Sequence, residues 1–159
     1  LEPTQIGPQE LKNLTGKVLV ITECTKAKIG YDDSIKAKAK DMYKGQLFKT
    51  VRKYAEGKGF DYIIISAKYG LVCPDQEIEG YEKVLRTKAD VEAIRDGVEQ
   101  KLKSILPSYD KILVIAGSKY REVLRNLWDD RFITVKSRGY GDLCSILQQS
   151  QKRSLLEYV

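Results

Sequence analysis

Lysines and hydroxyl side chains follow three apolar runs of the sequence directly, and this combination is typical of sites that bind anions. The first run leads into Glu23–Lys28 (ECTKAK), the second into Ser66–Leu71 (SAKYGL) and the third into Gly117–Tyr120 (GSKY). Lysines supply positive charge, hydroxyls donate hydrogen bonds, and free backbone N–H groups at helix starts attract anions. We therefore predict a phosphate-binding site formed by Cys24, Thr25, Lys26, Lys28, Ser66, Lys68, Tyr69, Gly70, Tyr81, Gly117, Ser118 and Tyr120.

Four of the nearby side chains are candidates for catalysis. Glu23 and Asp75 are carboxylates that can act on a water molecule, and Lys68 can stabilise developing negative charge. Cys24 is flanked by lysines, which lower the pKa of a thiol, so it is either a nucleophile or a buried structural cysteine. The residue types alone do not decide whether the site is catalytic, or which of these groups would be the catalytic one.

Several kinds of site lack the residues that they need. Histidine is absent, which excludes histidine bases and histidine-ligated metals, and the three cysteines form no CxxC pair. No GxxxxGK[ST] loop and no GxGxxG loop occurs. We therefore expect neither a metal nor a cofactor.

The elements that must position these residues alternate along the chain. Lys17–Thr22, Phe60–Ser66, Lys111–Ala116 and Arg131–Lys136 are short and rich in β-branched residues, which predicts strands. Helical patterns separate them. We predict an α/β fold, a three-layer α/β/α domain with a mostly parallel central sheet of about four to five strands. Ligands of such sheets bind outside the carboxyl ends of the strands, where the three lysine-bearing segments lie.

The boundaries follow from caps and breakers. Asp32-Asp33-Ser34 is expected to cap a helix that reaches about Tyr43, and Thr87 with Asp90 forms a capping box for a long helix that Pro107 ends. Residues 67–81 are predicted to be a loop, in which Gly70 adopts a positive φ. We expect residues 1–15 to be an irregular lead-in and 16–159 to be a single α/β domain.

The positive charge is concentrated in the first third of the chain. Residues 17–58 hold eleven Lys/Arg and five Asp/Glu, which accounts for the whole net charge of +6. A localised excess of this kind favours a phosphate-bearing partner, and a solvated lysine-rich helix face is the alternative. Tyrosines in or beside the expected site can stack on a base or sugar; they are Tyr69, Tyr81, Tyr120 and Tyr140.

The composition also predicts where the protein works. No apolar run approaches the roughly 18 residues of a membrane-spanning helix, and the start of the sequence lacks the apolar core of a signal peptide. The cysteines are few and widely spaced, which fits a reducing compartment. We expect a cytoplasmic protein with no membrane partner.

Several motifs in a fixed order resemble a known family. They are Cys24-Thr25-Lys26-x-Lys28, Tyr43-Lys44-Gly45-x-Leu47-Phe48, Ser66-Ala67-Lys68-Tyr69-Gly70-Leu71, Pro74-Asp75, Ile78 and Tyr81. The set resembles a widespread small domain of unknown function with an S-A-K-[YH]-G-L hallmark. It is also distantly similar to the YaaA peroxide-stress family, which implies DNA binding in a stress response. A weaker similarity links it to the uracil-DNA-glycosylase-like modules of tRNA-modification proteins.

Three functions fit the sequence. The first is a domain that handles nucleic acids or nucleotides and binds their phosphates at the carboxyl edge of the sheet. The second is an enzyme acting on a small phosphorylated or nucleoside substrate, with chemistry at a glycosidic bond. The third is a non-catalytic domain that binds a protein partner.

Overall fold

The computed structural model describes residues 2–151, and they form a three-layer α/β/α domain around a mostly parallel sheet. The strands are β1 (Thr4–Ile6), β2 (Val18–Glu23), β3 (Lys36–Lys38), β4 (Asp61–Ser66), β5 (Gly70–Val72), β6 (Glu77–Glu79), β7 (Lys111–Ile115) and β8 (Phe132–Val135). The helices are α1 (Pro8–Lys12), α2 (Ala39–Met42), α3 (Gln46–Lys58), α4 (Lys88–Ile105), α5 (Ser118–Val123) and α6 (Tyr140–Ser150). Short 3₁₀ turns follow α4 and α5 at Leu106–Ser108 and Arg125–Leu127.

The main sheet has six strands in the order β1-β8-β7-β2-β4-β5. All neighbouring pairs are parallel except β4 and β5, which are antiparallel. From β2 the chain moves to β4 on one side, and it later returns to β7 on the other side. The order of the strands therefore reverses between β2 and β7, and in open α/β sheets a crevice for ligands lies at that point.

The helices cover the two faces of this sheet. Helix α6 packs on α1 and α3, while α4 packs on α5 and β5. These contacts group α1, α3 and α6 on one face and α4 and α5 on the other, the arrangement that right-handed crossovers produce. The central strands are buried nearly throughout because both of their faces are covered, which explains the uniformly apolar runs in the sequence.

The predicted fold class is confirmed, and so are several local predictions. Strands β2, β4, β7 and β8 lie where the apolar runs predict them. Gly70 has φ +77°, as expected for a sharp turn between antiparallel strands. The Thr87 hydroxyl accepts a hydrogen bond from the Asp90 N–H at 3.2 Å, which is the predicted capping box.

Three local predictions are wrong. The helix expected from Ser34 to Tyr43 is replaced by β3 and the single turn α2, because Lys36–Lys38 pairs with Glu77–Glu79 in a small antiparallel sheet. The loop predicted over 67–81 accordingly contains β5 and β6. The irregular lead-in predicted over 1–15 contains β1, which pairs with β8, and α1, whose Leu11 is fully buried.

Candidate functional site

The segments that follow β2 and β4 meet at the carboxyl edge of the sheet, where Cys24 joins them. Its N–H donates to the Ile65 carbonyl at 2.9 Å, and its Sγ accepts a hydrogen bond from the Ala67 N–H at 3.4 Å. The same sulfur lies 3.3 Å from the hydroxyl of Tyr120, in the helix that follows β7. Cys24 is only 3% exposed, so its environment is that of a packed structural cysteine and not of an accessible nucleophile.

A cluster of three hydroxyl groups lies beside Cys24, and we call Tyr43, Ser66 and Tyr81 the hydroxyl cluster. The Tyr81 hydroxyl lies 2.8 Å from the Ser66 Oγ and 2.8 Å from the Tyr43 hydroxyl. All three residues are buried. Burial raises the pKa of both tyrosines well above the ordinary value, so the cluster stays neutral and acts as a fixed hydrogen-bonded framework.

Ser66 also shapes the turn that carries the next predicted residues. Its Oγ accepts hydrogen bonds from the N–H groups of Lys68 and Tyr69 at 3.2 and 3.0 Å. Lys68 is exposed, with its ammonium 5.1 Å from the centre of the Tyr69 ring. Tyr69 in turn packs edge-on against Tyr81. The turn therefore packs against the hydroxyl cluster through Tyr69, whereas Lys68 lies on the surface.

Lys28 is the most unusual charged residue at this edge. Only 7% of the residue is exposed, and its ammonium lies 4.4 Å from the centre of the Tyr81 ring and 5.9 Å from that of Tyr43. Within residues 2–151 its Nζ makes one hydrogen bond, to the Lys26 carbonyl at 3.4 Å, and no ion pair. Burial lowers the pKa of Lys28, while the nearby Cys24 and the Glu82 carboxylate raise it by smaller amounts.

Lys28 lines a cavity of about 640 Å³ that we call the edge pocket. Its walls come from the segment after β2 and from the segment between β6 and α4. The lining residues are Lys26, Lys28, Tyr31, Glu82, Lys83, Val84, Arg86 and Asp90. Four of them are cations and two are carboxylates, so the pocket has a formal excess of positive charge.

Thr25, which we also predicted to bind the ligand, has a structural role. Its hydroxyl donates to the Ala27 carbonyl at 2.7 Å and accepts from the Gly45 N–H at 3.2 Å. These bonds tie the segment after β2 to the start of α3. Lys26, its neighbour, is exposed and lies on the wall of the edge pocket.

Glu23 occupies the crevice between β2 and β7, at the point where the strand order reverses. Its Oε1 accepts a hydrogen bond from the Gly117 N–H at 2.6 Å. Burial raises the pKa of Glu23, and this hydrogen bond lowers it by a smaller amount. The Glu23 carboxylate raises the pKa of Tyr140, whose ring is 63% exposed, and Ser118 beside them is exposed as well. A half-buried carboxyl therefore faces an open aromatic ring.

Asp75 is not brought to this site. It pairs with Lys40 at 2.8 Å and Lys38 at 3.6 Å, and it lines a cavity with Phe60 and Asp61, where β4 begins. Strand β5 runs antiparallel to β4 and carries the chain towards the opposite edge of the sheet before Asp75 is reached. The expectation that Asp75 lies close to the other candidates is therefore wrong.

A second basic surface lies along α2 and α3, and we call it the basic groove. It encloses about 640 Å³ and is lined by Lys40, Tyr43, Lys44, Phe48, Lys49, Arg52, Lys53, Glu56 and Gly57. Arg52 is neutralised by Asp41 and Glu56. Lys44, Lys49 and Lys53 form no ion pair with any residue in the described part of the chain. Part of the excess charge of the first third therefore lies on this surface, while Lys26 and Lys28 line the edge pocket.

Tyr31 and residues 82–86 are the parts of the site that sequence reasoning missed. Glu82, Lys83 and Arg86 line the edge pocket although they follow no strand of the main sheet. The signal available was the three charged residues Glu82, Lys83 and Arg86, which come directly after Tyr81. Tyr43 was present in a motif, but its hydroxyl contact with Tyr81 depends on tertiary structure.

Comparison with known proteins gives a family and no function. No helix among residues 2–151 is long and apolar enough to cross a membrane, and no group of three potential metal-binding side chains occurs there. No curated protein and no solved structure matches the chain. A model of the family of unknown function DUF6884 matches residues 18–149, from the start of β2 into α6. The chain therefore belongs to the DUF6884 family of unknown function.

Proposed function

We propose that this domain binds a nucleic acid or nucleotide through phosphate groups held in the edge pocket, at the carboxyl edge of the sheet. The observation that carries the proposal is the state of Lys28, a nearly buried ammonium with one long hydrogen bond. An ammonium has three donors, and a buried charge with one acceptor and no ion-pair partner is unfavourable. Phosphate oxygens in the pocket would supply further acceptors and the opposite charge.

The charge of the pocket matches this ligand. Its four cations exceed its two carboxylates by two charges. One of the carboxylates, Asp90, already accepts the N–H groups of Arg86 and Thr87 at the start of α4. A phosphate monoester carries about −1.5 to −2 charges near neutral pH. Binding it would bring the pocket close to neutrality.

Tyr31 supports a nucleotide over other phosphates. It is 48% exposed on the wall of the pocket, and its hydroxyl accepts the Lys28 N–H at 3.3 Å, which limits the positions that its ring can take. Exposed aromatic rings beside a basic surface stack on nucleobases, at about 1–3 kcal/mol per base. The basic groove would extend binding to further phosphates of a polymer, and the distant resemblance to YaaA points in the same direction.

The proposal is tested by fluorescence anisotropy with a labelled single-stranded oligonucleotide, titrated at two salt concentrations. Replacing Lys83 and Arg86 with Gln removes two cations from the pocket, and we expect affinity to fall by about tenfold, which corresponds to about 1.4 kcal/mol. Replacing exposed Lys12 and Lys103 with Gln removes the same charge near the other end of the strands and is the control. The proposal would be overturned if the chain did not bind the oligonucleotide near 50 mM salt, or if the two double variants lost the same amount of affinity.

A second candidate function is catalysis, and Glu23 is the observation that favours it. A carboxyl with a raised pKa at the reversal point of the sheet is suited to protonate a leaving group, for example the base of a nucleoside. Release of free base from nucleotides would be followed by chromatography. Loss of that release in Glu23→Gln, with oligonucleotide binding unchanged, would support an enzyme.

A further inference from the structure

We propose that Lys28 forms an imine with a phosphorylated aldehyde or ketone bound in the edge pocket. The inference rests on the proposed function, because the pocket cations hold the phosphate of this substrate. It goes further by assigning covalent chemistry to the buried lysine and a carbonyl group to the ligand.

The geometry around Lys28 meets the first need of imine chemistry, an amine that is accessible to a ligand but removed from bulk water. The residue is 7% exposed, yet it lines a cavity of about 640 Å³. Imine-forming lysines lie in desolvated sites or beside other cations, since both favour the neutral, nucleophilic amine. Lys28 has the first feature, since it is nearly buried at the edge of the cavity. The lowered pKa of Lys28 is consistent with this role.

The Tyr81 ring meets the second need, which is stabilisation of the product. The ammonium lies 4.4 Å from the ring centre, and a protonated imine at the same atom would keep its positive charge over the same ring face. The hydroxyl cluster fixes the orientation of this ring through Ser66 and Tyr43. The nitrogen is therefore held in place both before and after the reaction.

The step balances without an oxidant or reductant. The lone pair of the neutral Lys28 amine forms a bond to the carbonyl carbon, and the C=O π electrons move to oxygen. The nitrogen then releases a proton, which the oxygen takes up, so that the nitrogen regains a lone pair. The hydroxyl then leaves as water while the nitrogen lone pair forms the C=N bond. Glu82 lines the pocket and attracts the charge of Lys28 from beyond ion-pair distance, so it is suited to take the ammonium proton through a water molecule and to return it to the leaving hydroxyl.

The experiment uses the full chain and pyridoxal 5′-phosphate as a phosphorylated aldehyde probe, with cyanoborohydride to reduce any imine and peptide mass mapping to find it. We expect Lys28 to be labelled before the exposed lysines. Pyridoxal lacks the phosphate and closes to an internal hemiacetal, so it labels all lysines more slowly. Relative to its labelling of the exposed lysines, it should label Lys28 at least about tenfold less than pyridoxal 5′-phosphate does, because the cations of the pocket concentrate only the phosphorylated probe. Labels distributed over exposed lysines, with Lys28 unmodified, would overturn the proposal.

The two proposals fail in different ways. If both aldehydes label Lys28 first, and with equal preference over the exposed lysines, imine formation stands and phosphate binding in the pocket is wrong. Lys28→Arg cannot form an imine, so we expect this variant to lose the label at position 28. If this variant folds poorly, the peptide map of labelled lysines in the unsubstituted chain still decides whether Lys28 forms an imine. An oligonucleotide that binds normally to a chain never labelled at Lys28 leaves the proposed function intact and rejects the imine.

Discussion

The hydroxyl of Ser66, at the end of β4, lies 2.8 Å from the hydroxyl of Tyr81, which follows β6 and Gly80. Both residues are buried. This contact joins the Ser66–Leu71 motif to Tyr81, and it fixes the aromatic ring that the Lys28 ammonium contacts. Because Ser66 also accepts two backbone N–H groups, a single oxygen fixes the turn and the ring together.

Replacing Ser66 with Ala should destabilise the fold. The change leaves the N–H groups of Lys68 and Tyr69 without this acceptor and removes one partner of Tyr81. Unsatisfied buried polar groups cost about 1–3 kcal/mol, and we expect a loss of that size in the free energy of urea unfolding. Ser145→Ala, at an exposed position of α6, is the control and should change stability by less than about 0.5 kcal/mol. A Ser66→Ala variant as stable as this control would contradict the role assigned to the contact.

The fold was largely predictable from local sequence because its central strands are buried on both faces. Such strands need apolar residues at every position, so Val18–Glu23 and Lys111–Ile115 are visible without any knowledge of their neighbours. Lys36–Lys38 was not predictable in this way. Its alternation of lysine and alanine is compatible with a helix, and only its pairing with Glu77–Glu79, whose charges are opposite, selects a strand.

Gly80→Ala should damage both stability and ligand binding. A Cβ at this position would lie 2.5 Å from the Gly30 carbonyl oxygen and 2.8 Å from that of Asp32, which is too close for any real contact. The loop that carries Tyr31 would have to move. We expect a loss of about 1–3 kcal/mol in unfolding free energy and weaker oligonucleotide binding.

The matched control for this change is Gly97→Ala. Gly97 lies inside α4 with open space around its Cα, so alanine there should raise stability by about 0.5–1 kcal/mol through its higher helix propensity. Opposite signs for the two substitutions, measured by chemical unfolding, would separate the steric effect from the general effect of replacing glycine. A neutral Gly80→Ala variant would mean that the two loops do not need to approach so closely.

Glu23 should make stability depend on pH in a specific direction. Its pKa in the folded state is raised above 4.5, so above that pH the folded state holds a proton that the unfolded state has lost. The unfolding free energy should therefore fall as pH rises through this window, by at most about 1.4 kcal/mol per pH unit, and level off above the folded pKa. Glu23→Gln keeps an acceptor for the Gly117 N–H but cannot ionise, so this decline should disappear.

The measurement is urea unfolding of both proteins at several pH values from 4 to 8. Exposed Glu77→Gln is the control, and it should keep the pH dependence of the unmodified chain. If Glu23→Gln and the unmodified chain show parallel curves, Glu23 is as solvated as a surface carboxylate, and its role as a proton donor loses its basis.

Charge reversal in the basic groove should change the salt dependence of oligonucleotide binding. Lys44, Lys49 and Lys53 are the unpaired groove lysines within the described chain. If each contacts a phosphate of duplex DNA, changing all three to Glu should reduce the slope of log affinity against log salt by about 2.7, from about 0.9 per contact. The loss should be similar for all base sequences, because phosphate contacts carry no sequence information.

The control reverses the same number of charges away from the groove, at Lys12, Lys17 and Lys103. Anisotropy titrations between about 50 and 200 mM salt give the slopes. The lysines of β3 are a poorer choice for reversal, because Lys38 is already paired with Asp75 and its strand faces the acidic strand β6. A slope unchanged by the groove variant would restrict binding to the edge pocket.

The site was only partly predictable. The rule that parallel strands end at one edge correctly brings Cys24 together with Ala67, next to Ser66. This rule cannot predict how far a side chain is buried. Lys26 and Lys28 are only two residues apart, yet Lys26 is exposed and Lys28 is nearly buried. Nor can the rule follow the chain through β5, whose reversal takes Asp75 away and brings Glu82–Arg86 back to the pocket.

Strand β1 has a consequence for self-association. It lies before residue 18, outside the segment that the DUF6884 model matches, and it covers the outer edge of β8 through the pairs Thr4–Ile133 and Ile6–Val135. A chain cut to the matched segment would present the backbone groups of β8 unpaired, along a strand that reads Phe-Ile-Thr-Val. Edges of this kind recruit strands from other molecules. Strand β1 therefore replaces the four-residue edge of β8 with an edge of only three residues, which offers fewer backbone groups for another sheet to pair with.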